Sequence, residues 1–369
     1  MATALNLGLL DDIRAHGAFD ISACFHCGNC TAVCPLSEEG SSFPRKLIRL
    51  GQIGAREQLL SSPDPWLCYY CGECSDTCPR EAGPGEYMAA LRRYTIAENE
   101  PTGLARVMYG SLAGLLGVTV VLALALGMFM VSGHGSAPAR EWLFSLVPYG
   151  TLHLMGMLIF AVAGLSMAWS IGTAARRVLR GVSWPGWPAA GRALRRTVVE
   201  VATMARHRGE SVTPETPLAK SAAGIHLGIM YGFLGLLVAT MLDYLFLDLL
   251  PLGLTTFWPA RFIGTVAGLA MLWGVVAAIR RRLARAERNV AQSDATDWWV
   301  LASLLVLAVT GFWLELAVTI RAVGPTTDAV MLLHAALAME LVLLTMFTKM
   351  AHVVYRPLAL LARALRNPE

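Results

Sequence analysis

CFHCGNCTAVCP at residues 24–35 and CYYCGECSDTCP at residues 68–79 are two copies of one pattern. Cysteines stand at matching places in each, Cys24, Cys27, Cys30, Cys34 and Cys68, Cys71, Cys74, Cys78, and a proline (Pro35, Pro79) follows the last. The two runs hold all eight cysteines of the 369-residue chain. This spacing suits [4Fe–4S] clusters: three close thiolates wrap one face of a cubane, and in two-cluster ferredoxins the last cysteine of each run ligates the other run's cluster. The expected sets are Cys24, Cys27, Cys30 and Cys78 for one cluster, and Cys68, Cys71, Cys74 and Cys34 for the other. Zinc knuckles usually supply two ligands each, and a disulfide scaffold has no reason to repeat an eleven-residue pattern. The chemistry expected is one-electron transfer.

The composition says where it occurs. Hydrophobic residues make up 55% of the chain and charged residues only 15%, far from the balance of a soluble domain. Residues 1–100 read as an ordinary soluble sequence. Beyond them lie six apolar runs long enough for a bilayer, which needs about 20 residues: Val107–Val131, Leu146–Ile171, Ser221–Phe246, Phe262–Ile279, Trp298–Ile320 and Ala329–Tyr355. The break Glu98-Asn99-Glu100-Pro101-Thr102-Gly103 separates the halves. The expected fold is α-helical: an N-terminal ferredoxin-like all-α dicluster domain (1–100) fused to a six-helix transmembrane cytochrome b bundle (101–369).

Basic residues orient the spans. The loops joining spans two to three and four to five, with the tail, carry seventeen, among them Arg176, Arg177, Arg196, Arg280, Arg288 and Arg356. The opposite loops carry Arg140, Arg261 and Arg321. This predicts a multi-pass inner-membrane protein with the cluster domain and both termini in the cytoplasm. The arginine runs sit immediately beside spans, which accounts for them better than a nucleic-acid surface. Met1–Gly17 contains Asp11 and Asp12 and lacks the basic start of a cleavable signal peptide.

Eight histidines complete the reading. His16 and His26 lie in the soluble part, His134 in an outer loop and His207 in an inner one. His153, His226, His334 and His352 fall inside spans, where a polar group is expensive and is a functional candidate by default. By depth they form an outer pair, His153 with His334, and an inner pair, His226 with His352. On one continuous helix the 18 residues from His334 to His352 make five full turns, so both rings share a face about 27 Å apart. That geometry suits two b hemes, each held by two histidines within a helix bundle.

In these motifs the first 100 residues resemble the dicluster subunit of heterodisulfide reductase. The remainder resembles that enzyme's cytochrome b subunit and the two-histidine cytochrome b family of respiratory nitrate reductase. The fusion is similar to the membrane subunits of quinone-interacting membrane-bound oxidoreductase complexes. The resemblance implies electron exchange between membrane quinone (menaquinone or ubiquinone) and cytoplasmic flavin and iron–sulfur subunits in dissimilatory sulfur metabolism, with adenylylsulfate reductase as a further partner. Related settings are a heterodisulfide-type or sulfite-reductase-linked complex. A membrane-anchored redox sensor is the reading from another class, but two clusters and four paired histidines exceed what a sensor needs. No flavin-binding G-x-G-x-x-G follows a strand-like segment, so substrate chemistry falls to partner subunits.

Candidate quinone or proton residues are Asp243 and Tyr244 near the outer end of span three, Glu315 in span five, Glu340 mid-span six, and Lys349 one turn before His352. Lys349 is placed to meet a heme propionate or a lipid phosphate, and Arg176 and Arg177 are further partners for propionates. Phe25, His26, Tyr69 and Tyr70, between the first two cysteines of each run, are read as packing that tunes the clusters. Pro44–Leu60 reads as a short helix over the clusters, with Lys46, Arg49 and Arg56 on its polar side.

Overall fold

A computed structural model describes residues 5–18, 20–37, 41–133, 144–246, 257–285, 287, 290 and 292–367. His134, Arg140 and Arg288 lie outside the described residues. Among those described, every regular element is helical.

The N-terminal part is a set of short helices gathered around one long one. They are α1 (Leu9–Arg14), α2 (Asn29–Ala32), α3 (Arg45–Gln52), α4 (Arg56–Leu60), α5 (Asp64–Leu67), α6 (Glu73–Asp76) and α7 (Pro84–Asn99). Pro84 opens α7, where its missing N–H costs nothing. Leu9, Ile13, Leu47, Ile48, Tyr87 and Leu91 are fully buried around it, and the Tyr87 hydroxyl donates to the Leu47 carbonyl at 3.1 Å. The two cysteine runs are conformational copies. Gly28 (φ 91°) precedes α2 and Gly72 (φ 96°) precedes α6, a backbone state open to glycine. Between the first two cysteines His26 (φ 63°) and Tyr70 (φ 60°) take the same left-handed turn.

After α8 (Leu104–Gly110) come α9 (Leu112–Ser132) and α10 (Tyr149–Val178), then α11 (Trp187–Thr203) and α12 (Ala205–Ser211). The remaining helices are α13 (Ala222–Tyr244), α14 (Phe262–Leu283), α15 (Ala295–Ile320), α16 (Pro325–Leu343) and α17 (His352–Arg366). Six helices, α9, α10, α13, α14, α15 and α16, are long and apolar enough to cross a membrane. Val121, Leu124 and Met128 point outward from α9, each at least 60% exposed, as a lipid-facing surface requires. Small residues let α13 and α14 meet backbone to backbone: a Cβ on Gly232 would stand 2.5 Å from the Met271 nitrogen, and one on Gly274 2.9 Å from the Ile225 carbonyl oxygen. A single buried core runs from Leu9 and Tyr87 through Met108 and Leu115 to Leu304 and Leu344, so the cluster domain and the bundle are packed as one body.

Four sequence expectations need correction. The first span starts at Leu112 rather than Val107, because Ser111 is extended and its hydroxyl caps the new helix by accepting from the Gly114 N–H at 2.9 Å. Pro44–Leu60 is two helices, since Gly54 turns left-handed (φ 74°) and its carbonyl takes the Asn6 N–H at 2.8 Å. The segment between spans two and three holds an amphipathic helix, α11, with Ala189, Ala193 and Thr197 buried and Trp187 81% exposed. The last span is not one helix to Tyr355. Beyond Leu343 the chain forms 3₁₀ turns at Leu344–Phe347 and Lys349–Ala351 around an extended Thr348, whose hydroxyl accepts from the Met350 N–H. The five-turn phase relation between His334 and His352 therefore does not hold.

Candidate cofactor site

The two cysteine runs lie close enough for their thiols to act on one another. Burial pushes the Cys30 thiol up; a Thr31 hydrogen bond opposes this, and neighbouring Cys24, Cys27 and Cys78 add to it. Burial pushes Cys34 up to about 11, with Cys68 and Cys71 among the groups acting on it. Cys74 is raised by burial and then by Cys68, Cys71 and Cys34. Cys30 acts on Cys74 as well, so thiols of both runs influence each other. Protein N–H groups already point at sulfur: Tyr70 N–H to Cys68 Sγ at 3.2 Å and Ala82 N–H to Cys78 Sγ at 3.4 Å. The Asn29 amide donates across to the Thr77 carbonyl, tying the runs together.

Tyr69 and Tyr70 do not behave alike. Tyr69 is a docking residue. Its hydroxyl donates to Glu200 of α11, its ring stacks on His207 at 4.6 Å, and the Arg356 guanidinium sits 4.2 Å above that ring. Burial, then the bond to Glu200, pushes the Tyr69 hydroxyl up and keeps it a donor. Trp66 of α5 stacks on Tyr355 of α17 at 4.6 Å, and its carbonyl accepts from Arg356 at 3.1 Å. Cys68 is flanked by these two anchors. The Cys24 run lies on the far side, where Phe25 is 59% exposed; His26 is held there by a hydrogen bond with Gln52. Trp66, Glu200 and Arg356 do not stand out as joint residues in the sequence, because their partners lie far along the chain.

The inner histidines are brought together: the rings of His226 and His352 have centroids 5.8 Å apart and an interplanar angle of 71°. His226 and His352 are the residues that would hold a heme iron here, imidazole being a suitable ligand for it. The outer histidines face different neighbours. His153 lies against Tyr149 (4.1 Å) and Tyr244 (5.0 Å), whereas His334 faces Thr310 and the bare Cα of Gly311.

Hydrogen bonds fix three of the rings in one tautomer. His153 Nδ1 pairs with the Tyr149 carbonyl at 3.2 Å and His352 Nδ1 with the Lys349 carbonyl at 2.8 Å. A carbonyl only accepts, so each Nδ1 carries the proton. Thr310 gives its own hydrogen to the Val306 carbonyl at 2.6 Å, so it too accepts, from His334 Nδ1 at 2.8 Å. Each arrangement makes Nε2 the lone-pair nitrogen, the form a metal ligand needs.

The acidic and basic candidates divide. Lys349 is paired with Asp297 at 2.6 Å, at the start of α15. Arg177 donates to Asn99, and Arg176 to the Gly172 carbonyl at 3.1 Å, so both are engaged within the protein. Glu315 accepts from Thr265 at 2.7 Å and pairs with Arg261 at 3.8 Å. Tyr244 stands beside His153, next to Asp243 in the chain. Glu340 is 1% exposed and its Oε1 has no hydrogen-bond partner.

These features define a membrane-embedded redox protein, with a dicluster domain docked on a helical bundle. Residues 20–82 match the family described as 4Fe-4S dicluster domain, and residues 211–331 match the nitrate reductase gamma subunit family. The second interval contains His226 and stops short of His334 and His352. Among curated proteins, the heterodisulfide reductase C-subunit-like protein of Archaeoglobus profundus is 37% identical over 97 residues, 26% of this chain and 52% of the relative. The C-subunit of the H(2):CoB-CoM heterodisulfide,ferredoxin reductase of Methanothermobacter marburgensis is 34% identical over 57 residues, 15% of this chain and 31% of the relative. The chain thus spans about half the length of these curated relatives, or less. No solved structure matches it. The chain joins an iron–sulfur dicluster domain to a nitrate reductase gamma-like membrane domain and is related to the C-subunit of heterodisulfide reductase.

Proposed function

We propose that this chain passes electrons between the membrane quinone pool and cytoplasmic flavin or iron–sulfur subunits of its complex, in sulfur metabolism. When bound, two [4Fe–4S] clusters and b hemes supply the one-electron carriers. Cys24, Cys27, Cys30 and Cys78 would hold one cluster, and Cys68, Cys71, Cys74 and Cys34 the other. His226 and His352 would hold the inner heme through Nε2, and His153 and His334 are the candidates for an outer one. The Nδ1–H tautomer of His153, His334 and His352 leaves Nε2 free for metal ligation. The excess of arginines in the loops between spans two and three and between spans four and five, and in the tail, supports a cytoplasmic cluster domain and termini.

One observation carries the reading. The His226–His352 pair lies at the end of the bundle where α17 docks on the Cys68 run. Trp66, Tyr355, Tyr69 and Arg356 form a ring-rich seam there that joins the two sites. Because Trp66 and Tyr69 flank Cys68 and dock on the bundle, the Cys68 run is read as the one nearer the membrane and the Cys24 run as the one nearer a partner. Tyr244 and Asp243 beside His153, and Glu340, are the candidates to serve the quinone. The named relatives favour a heterodisulfide-type complex as the alternative setting for the same wire.

The test uses the full chain in membranes under anaerobic conditions. Addition of a short-chain quinol is expected to produce the electron paramagnetic resonance signals of reduced clusters, and Arg356→Ala is expected to slow their appearance without loss of iron. Clusters that reduce with dithionite but never with quinol contradict the proposal.

A further inference from the structure

A strip of polar side chains runs through the interior of the bundle. Ser166, Ser170 and Thr173 stand at i, i+4 and i+7 on α10, on one face. That face packs toward α16, its 3₁₀ continuation and α17. The register follows from the apolar layer above, where Met155 and Ile159 share a cluster with Ala335 and Ala336. One turn further along the two helices come Ala163 and Glu340, and beyond them Ser166 and Ser170. Tyr355 follows, its hydroxyl within reach of the Ser170 and Asn99 side chains. Asn99 closes the strip at the cluster-domain end, where Arg177 donates to it.

The Tyr355 hydroxyl meets the Ser170 and Asn99 side chains, while Glu340 Oε1, Ser166 Oγ and Thr173 Oγ1 are buried atoms without a hydrogen-bond partner. Glu340, Ser170, Asn99 and Tyr355 are at most 3% exposed. One buried unpaired polar atom is unusual. Three beside a linked Asn99–Tyr355–Ser170 group, one of them a carboxyl in the middle of a span, call for partners of another kind, and ordered water is the kind that serves hydroxyls and a carboxyl. An uncompensated carboxylate at that depth is expensive, so Glu340 carries its proton.

We propose that this strip holds a chain of water molecules that conducts protons between the cluster-domain side and Glu340. Glu340 then exchanges the proton that accompanies each electron in quinone chemistry, an assignment that rests on the electron-transfer reading above. For each electron a quinol gives up, one proton leaves its hydroxyl. Glu340 passes its own proton to the first water of the strip and takes up the one released, so no net charge stays on the carboxyl. Two such turns convert quinol to quinone: two protons leave along the strip and two electrons pass, one at a time, to the one-electron iron carriers of the proposed wire. Quinone reduction runs the same steps backward.

Two measurements on the purified full-length protein test this. In infrared spectra, a protonated-carboxyl band absent from Glu340→Gln is expected to shift promptly in heavy water, and to shift about an order of magnitude more slowly in the Ser170→Ala/Tyr355→Phe double variant. Quinol-driven cluster reduction is expected to fall by at least about tenfold in Glu340→Gln, with dithionite-reduced spectra unchanged and Glu340→Asp restoring most of the rate. Exchange at the wild-type rate in the double variant, or quinol oxidation at the wild-type rate in Glu340→Gln, overturns the proton path. Normal exchange behaviour in a wild-type protein that quinol cannot reduce leaves the water strip standing and sinks the electron-transfer reading instead.

Discussion

Histidine shows how much one side chain's surroundings decide. His153, His334 and His352 each give Nδ1 to a protein acceptor and thereby aim Nε2 elsewhere. His16 makes the same Nδ1 contact in a different setting, outside the spans. It lies between Tyr94 and Tyr109, with Nδ1 on the Asp12 carbonyl at 2.8 Å and a buried, unpaired Nε2. Burial holds its pKa below the usual value, against the pull of that carbonyl. The folded chain therefore binds fewer protons than the unfolded one below an ordinary histidine pKa of about 6.5. Above that pH His16 is neutral in both states and contributes no pH dependence. As pH falls through it, stability is lost until the folded value is reached. Thermal unfolding followed at about pH 7.5 and about pH 5.5 is expected to show a smaller drop in Tm for His16→Gln than for wild type. An equal drop in both proteins contradicts this.

Among the elements, the break in the last span matters most. A continuous helix to Tyr355 would place His352 by helical phase alone. Instead Thr348 goes extended, and Lys349 reaches Asp297, which also completes the cap of α15 by accepting from the Asp294 N–H at 3.1 Å. The ion pair thus pins the turn whose carbonyl orients His352. Asp297 is buried and Lys349 is half-exposed, so Lys349→Ala is expected to cost about 2 kcal/mol, between the values for exposed and buried pairs. Lys349→Arg should retain most of that, with Tm as the readout in both cases. No difference between the alanine variant and wild type would remove the ion pair from the account. The break is not legible in the sequence, since Val342–Ala351 contains neither proline nor glycine and reads as apolar helix. What ends the helix is Thr348 capping Met350 and a carboxylate some fifty residues away. The helix α11 is hidden for a related reason: its arginines read as topology and mask the helical period of Ala189, Ala193 and Thr197. The cysteine runs and the spans, by contrast, are written in local spacing and length, and the structure needs only to trim their ends.

At the scale of the whole molecule, one buried core joins the dicluster domain to the bundle. The chain is built as a fixed wire rather than two parts on a hinge. Residues far apart in sequence make that joint: Trp66 with Tyr355 and Arg356, and Tyr69 with Glu200 and His207. The joint ties the segment around Cys68 to α17, which begins at His352, and the proposed wire needs a heme held by His226 and His352. The most direct measurement is therefore heme b, iron and acid-labile sulfide per chain in the anaerobically purified full-length protein, for wild type and for His226→Ala. Two [4Fe–4S] clusters per chain in both proteins, with heme b present in wild type and one heme fewer in the variant, is the expected result. Wild-type protein without heme b, or a variant with undiminished heme, would contradict it.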